Sequence, residues 1–282
     1  MKSSLSLEGK MNTEKVISRE YKIMLKAEKF QGETAIFLAA SALFWQNFKT
    51  NISEIVPEIK GNLDRIEKNR LIKFYDTKEK LLRTNNYVFR ERIDIDENSQ
   101  EVTLKFRHPD RYISQDRNMD ARKKNKGTTK FEEDIKPDFL KLYSFSTKQK
   151  VSETKTLQTL NDISNLYPDI ENKIPEFKKD REIVLVGDFV ARETVITNAQ
   201  FTIRKSPLVK ADCALVVWRD REINPHIPLL VEFSFKYEDE KEEYTYKMAQ
   251  RAYDVFQALQ KMEDWIDPNS MTKTAYVYHL DS

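Results

Sequence analysis

The chain reads as an α+β protein, an antiparallel sheet with one charged face and helices packed on the other. Two observations predict this. Residues 87–93 and 101–107 alternate charged and apolar side chains with period two, which puts Arg90 and Arg92 on one strand face and Lys105 and Arg107 on another. Phe89 and Ile93, and Val102, Leu104 and Phe106, fall on the opposite faces. Between and beyond the strand-like segments lie stretches with helical spacing, among them the apolar run 34–45 and the stripe Met248, Ala252, Val255, Leu259, Met262.

Four further segments obey the same alternation. Glu20, Lys22 and Lys26 oppose Tyr21, Ile23 and Leu25. Lys130, Glu132 and Asp134 oppose Phe131 and Ile135, with Glu133 the exception on the apolar side. Thr202 and Arg204 oppose Phe201 and Ile203, and Glu232, Ser234 and Lys236 oppose Val231, Phe233 and Phe235. A solvated face accounts for any one of these strands without a ligand. Repeated over six strands, the pattern points to a polar surface facing a ligand, and a sheet curled into a closed barrel would carry these residues in its lumen. Cations and carboxylates side by side suit a polyphosphate with a divalent metal, since Arg and Lys neutralise phosphate oxygens and carboxylates hold magnesium or manganese.

In chain order, residues 1–15 read as a flexible lead and 18–27 as the first strand. Residues 33–49 are a helix rich in Ala, Leu and aromatics, placed against the outside of the sheet, and 64–77 hold the second strand. After the two cationic strands, the polar segment 108–130 carries Arg117, Arg122, Lys123, Lys124 and Lys126, read either as a basic loop tip or as an approach surface for RNA or polyphosphate. Residues 136–148 and 156–167 read as amphipathic helices. Strands resume at 182–197, 200–205, 213–220 and 228–238, and a helix at 244–265 follows. With no linker composition and no repeat, residues 16–282 read as one domain with helical insertions and a C-terminal helix.

Composition narrows the possibilities. The 282 residues are 33% charged and 39% hydrophobic, with a net charge of +2 that does not point to nucleic acid. Five glycines and the lack of a GxGxxG or Walker pattern argue against a Rossmann or P-loop nucleotide site. Cys213 is the only cysteine and sits in an apolar strand, which reads as core in a reducing compartment. His108, His226 and His279 form no metal-ligand spacing. Residues 1–10 lack a signal core, and the apolar run 34–45 is short of the roughly 20 residues a bilayer requires, so the expectation is a cytoplasmic protein without a membrane partner.

Phe74-Tyr75-Asp76-Thr77, Leu81-Leu82, Phe89-Arg90-Glu91-Arg92, Val102-Thr103-Leu104-Lys105, Phe131 to Ile135 and Leu230 to Ser234 occur in that order. The series resembles the CYTH superfamily, the triphosphate tunnel metalloenzymes, over residues 20–237. That group includes class IV adenylate cyclase, thiamine triphosphatase, and inorganic and RNA triphosphatases. The resemblance implies a closed, eight-stranded antiparallel barrel open at both ends. It implies that Arg90, Arg92, Lys105 and Arg204 bind the substrate's phosphates, with Arg107 and Lys236 as further candidates. Glu20, Glu132, Asp134 and Glu232 become ligands of Mg2+ or Mn2+, and Asp76 and Thr77 shape a turn; the family pattern names no general base, for which Lys22 and Glu133 are this chain's own candidates.

Two positions depart from the family pattern. Where its first strand reads Glu-x-Glu-x-Lys, this chain has Glu20-Tyr21-Lys22-Ile23-Met24, and its late Glu-x-Glu is Glu232 and Ser234. Both changes remove a carboxylate from the metal side. Three activities stand open at this level. One is metal-dependent hydrolysis of tripolyphosphate, a nucleoside or thiamine triphosphate, or an RNA 5′-triphosphate end. Another is a nucleotide cyclase releasing pyrophosphate, and the third is a module that binds nucleotide or polyphosphate without turning it over.

Overall fold

The computed structural model describes residues 14–123, 127–152 and 157–281. Its strands are β1 (Ser18–Leu25), β2 (Ile59–Asp76), β3 (Tyr87–Asp94), β4 (Ser99–His108), β5 (Gly127–Lys136), β6 (Leu140–Val151), β7 (Val184–Leu185), β8 (Ala191–Arg204), β9 (Val209–Asp220) and β10 (Leu230–Glu238). They form one sheet in the order β3-β4-β6-β5-β1-β10-β9-β8-β2-β7, and β2 also pairs with β3. That last pairing joins the two sides, so among the described residues nine strands run in a ring and the two-residue β7 sits on the end of β2. The count is therefore nine where the resemblance implied eight. Nor is the ring wholly antiparallel, because β1 runs parallel to β5, Glu20 lying opposite Asp134.

The helices are α1 (Thr34–Ile52), α2 (Leu81–Thr84), α3 (Arg111–Gln115), α4 (Leu160–Ser164), α5 (Ile170–Lys173), α6 (Tyr246–Gln260) and α7 (Lys273–His279). Strand alternation puts apolar side chains outside the ring, and the helices cover them. Tyr21, Ile23, Phe233, Phe235, Cys213 and Leu215 pack with Phe44, Trp45 and Phe48 of α1 and Val255 and Phe256 of α6. On the other flank Phe89, Leu104, Phe131 and Phe145 pack with Leu160 and Ile163 of α4 and with Tyr167. Each such buried side chain contributes roughly 1.5–3 kcal/mol of burial.

The helix expected at 136–148 is strand β6. Its Ser144, Ser146 and Lys148 alternate with Tyr143, Phe145 and Thr147, and it bridges β4 and β5 in full register. Aromatic and hydroxyl residues at period two favour a pleated surface over a helix. Of the helix expected at 156–167 only the short α4 forms within the described residues, its start fixed by a capping box between Thr159 and Asp162. The expected strands at 182–197 and 200–205 become the short β7 and a single long β8. Residues 1–13, most of the expected lead, and Lys124 and Lys126 of the basic segment lie outside the described residues.

At the β2–α2 turn, Asp76 accepts hydrogen bonds from the backbone N–H groups of Thr77, Leu82 and Arg83 and from the Tyr278 hydroxyl. Asp76 is thus a structural residue of the turn, the role that the resemblance implies. Among the described residues no helix is long and apolar enough to cross a membrane.

Candidate ligand-binding cavity

With apolar side chains committed to the outside, the charged halves of the strands point inward around a cavity of about 700 Å³. Lys22 comes from β1, Arg70 from β2, Arg90 and Arg92 from β3, and Lys105 and Arg107 from β4. β5 adds Lys130 and Lys136, β6 adds Lys148, β10 adds Lys236, and α7 adds Lys273. Among the described residues, seven carboxylates stand against these eleven cations, Glu20, Glu132, Asp134, Asp138, Glu193, Glu232 and Asp267, which leaves a surplus of four positive charges.

One end of the interior is apolar. Met24, Ile72, Phe74, Val88, Ala191, Trp218 and Leu230 share the inward parity of the charged residues, and they pack with Val277 and Tyr278 of α7. This gives a floor contributed by six of the nine ring strands, which the motifs alone did not reveal. The segment leading to α7 is tied to β1 by the Lys26 N–H on the Trp265 carbonyl (2.8 Å) and the Asp267 N–H on the Met24 carbonyl (3.1 Å).

The carboxylates are held by lysines. Lys22 Nζ lies 2.8 Å from Glu20 Oε2 and 2.9 Å from Asp134 Oδ1. Asp134 also accepts from the Ser144 hydroxyl at 2.6 Å and lies 3.6 Å from Lys105 and 3.8 Å from Arg107. Lys105 stands 3.6 Å from Glu132, and Lys273 stands 2.8 Å from Glu232. Burial works to raise Asp134, but Lys105, Lys22 and Arg107 together hold it well below the ordinary carboxylate range. Glu193 is likewise pushed up by burial, yet Lys273, Arg92 and Arg70 hold it at about 2, with the Trp218 indole donating to it at 2.9 Å.

The arginines are less well served. Among the described residues, the Nε–H groups of Arg70, Arg90, Arg92 and Arg107 are buried without a hydrogen-bond partner, although the Asp134 carboxylate lies 3.8 Å from that of Arg107. Burial and then the neighbouring Arg92 disfavour charge at Arg90, although a guanidinium stays protonated at neutral pH. Burial, opposed by Asp134, pulls the Lys105 ammonium down to about 8. Buried donors without acceptors are costly, typically about 1–3 kcal/mol each, and in a native fold they call for a specific cause.

Ten of the twelve site residues expected from sequence line this cavity: Glu20, Lys22, Arg90, Arg92, Lys105, Arg107, Glu132, Asp134, Glu232 and Lys236. Arg204 does not. Register shifts at Ile196/Ala199 and at Thr202/Arg204 break the alternation of β8, and Arg204 Nε donates to the Pro207 carbonyl in the following turn (3.1 Å). Glu133 does not either, because it occupies the outward position of β5 and pairs there with Arg19 and, at 3.5 Å, with Lys141. It therefore cannot act as a base on a ligand inside the ring. Arg70, Glu193, Lys136, Lys148 and Lys273 are cavity residues that the alternation did not single out. Arg70 and Glu193 sit in strands whose inward faces turn apolar further along, Lys136 and Lys148 bound the segment read as a helix, and Lys273 arrives from a helix.

The donor set does not fit a divalent metal. Among the described residues no three His, Cys, Asp or Glu side chains converge as a metal-holding group. Lys22 stands between Glu20 and Asp134, and each remaining expected ligand has its own lysine. Two unit charges of like sign 4 Å apart repel by about 4 kcal/mol at an effective dielectric constant of 20, and a dication doubles this. Magnesium wants carboxylate and water oxygens in octahedral geometry, not an ammonium within that shell.

No protein-family model matches the chain, and no curated protein does. Among solved structures it is similar to a Hippeastrum protein proposed to be an adenylyl cyclase, for which a dominant triphosphatase activity is described (10% identity, TM-score 0.43, covering 94% of this chain and 95% of that one). It is also similar to a Bacillus halodurans protein proposed to be an adenylate cyclase (13%, 0.40, 93% and 97%). A third likeness is to the Mimivirus capping enzyme triphosphatase (12%, 0.32, 89% and 92%).

Proposed function

We propose that this chain is a triphosphate tunnel protein of the CYTH type, and that its cavity binds the triphosphate group of a small molecule or nucleotide. The observation that carries this reading is the cationic wall, in which Arg70, Arg90, Arg92 and Arg107 line one cavity and the described lining holds eleven cations against seven carboxylates. Phosphate oxygens are strong acceptors matched to the guanidinium fork, and a chain of three phosphates brings enough charge to meet several such groups at once. Lys105, Lys136 and Lys236 line the same space and extend the cationic wall. An RNA 5′-triphosphate end carries the same chemistry and belongs to the same class of ligand.

A second reading is hydrolysis of the bound chain, favoured by Glu132. This inward carboxylate meets Lys105 only at 3.6 Å and so retains acceptor capacity for a water. In that step the water oxygen attacks the terminal phosphorus, the bond to the bridging oxygen breaks, inorganic phosphate leaves, and the water proton passes to Glu132. The arginines and lysines neutralise charge on the equatorial oxygens, which is most of what phosphoryl transfer asks of a protein. A cyclase would instead release pyrophosphate from a nucleotide.

Calorimetric titration with tripolyphosphate and ATP tests the binding. We expect one site per chain, weakened about tenfold or more in Arg90→Ala. Wild-type protein that binds neither ligand, or Arg90→Ala that binds as well as wild type, overturns the proposal. Product analysis after incubation separates phosphate release from cyclic nucleotide formation and from unaltered ligand.

A further inference from the structure

We propose that Lys22 takes the place of a divalent cation, so that the cavity engages a triphosphate chain without bound metal. This rests on the triphosphate-binding reading above and concerns what that binding requires. Three independent observations lead to it.

The first is position. Lys22 lines the cavity, and its ammonium sits between Glu20 and Asp134, on adjacent strands, at 2.8 and 2.9 Å. Two carboxylates brought together this closely would repel each other unless a cation lay between them, and here the chain supplies that cation itself. The second is the rest of the acid set. Glu132 is met by Lys105 and Glu232 by Lys273, so each inward carboxylate of these strands is charge-compensated by a lysine of the same cavity. The third is the absence, among the described residues, of any converging group of three oxygen, nitrogen or sulfur ligands from acidic, histidine or cysteine side chains.

The chemistry of the substitution is direct. An ammonium has three N–H donors, and Glu20 and Asp134 take two. The third is left for a phosphate oxygen, so one side chain bridges protein carboxylates and substrate phosphate as a metal ion would, with a single fixed charge. Asp134 is the second half of the device. Ser144 and Lys105 brace it from β6 and β4, so the carboxylate that pairs with Lys22 is itself fixed in place.

The test is titration of the full chain with tripolyphosphate in EDTA and, separately, in excess magnesium, together with Mn2+ binding followed by electron paramagnetic resonance without phosphate. We expect saturable tripolyphosphate binding in EDTA, no tighter binding in magnesium, and no protein-bound Mn2+ at millimolar concentration. Lys22→Gln should weaken binding in EDTA about tenfold or more. Lys22→Glu should acquire Mn2+ binding, because it puts a third carboxylate beside Glu20 and Asp134. Tripolyphosphate binding that appears only with magnesium, or wild-type protein that binds Mn2+, overturns this inference and leaves the triphosphate site standing. Binding under neither condition overturns the triphosphate reading, and this inference falls with it. If Lys22→Glu fails to fold, Lys22→Gln decides alone, since undiminished binding in EDTA removes Lys22 from the site.

Discussion

Lys105 is the residue whose charge the fold makes conditional. Burial draws its ammonium down to about 8, whereas a guanidinium keeps its charge throughout the neutral range. A cation whose pKa in the free protein lies below its ordinary value is charged below that point and neutral above it. A polyanion binds the charged form, so affinity must fall as pH rises through 8. The expected profile for tripolyphosphate is flat below about pH 7 and then falls by up to about tenfold per unit until the ammonium of the complex also titrates. Lys105→Arg should flatten that alkaline arm, because arginine keeps its proton. Titration calorimetry across pH 6–10 on both proteins checks this. An unchanged arm in Lys105→Arg would assign the pH dependence to the ligand.

At the scale of elements, β2 shows how one residue lets a strand serve two surfaces. It spans Ile59–Asp76, pairs with both β8 and β3, and departs from regular register with β8 between Gly61 and Arg65. Gly61 has φ +73, and a Cβ there would lie 1.9 Å from the Asn198 carbonyl oxygen, while its own carbonyl accepts from the Trp45 indole at 2.8 Å. Gly61→Ala therefore meets backbone as well as an unfavourable dihedral and should cost more than the ~1 kcal/mol usual for such exchanges, a fall of several degrees in Tm by calorimetry. An unchanged Tm would mean the bend is not held by this approach. Elements were legible in the sequence where one period dominated. Arg90/Arg92 and Lys105/Arg107 declared both their strands and their inward faces. β6 was misread because Leu140, Leu142 and Tyr143 spaced within a lysine-rich run mimic an amphipathic helix, and only pairing with β4 and β5 on both edges decides the matter. Arg204 was misplaced because register shifts, invisible in a period-two pattern, end the alternation before it.

For the whole molecule, the consequence of the ring is that position inside or outside outweighs charge as such. The net charge is only +2, yet the cavity lining alone holds a surplus of four cations. The lysines along it differ in exposure. Lys148, Lys130 and Lys236 have side chains 51%, 38% and 30% exposed, against 17% and 16% for Lys22 and Lys105. Solvent reaches the cavity past the first three, and a polyanion arriving by that route meets their field before it meets the arginines. Lys130→Glu combined with Lys148→Glu should thus slow association with tripolyphosphate by about tenfold at low salt, with the difference shrinking as ionic strength rises and the Debye length falls to about 8 Å. Dissociation should change less, because the buried arginines that hold the chain are untouched. Arg204→Glu also reverses one positive charge, but at the end of β8 outside the cavity lining, and should leave both rates within about twofold at physiological salt. Stopped-flow measurements on the double variant and on Arg204→Glu across a salt series distinguish the two cases. Equal slowing per charge reversed would mean that the ligand senses the protein's total charge, and an interior route for the polyanion would then have no support.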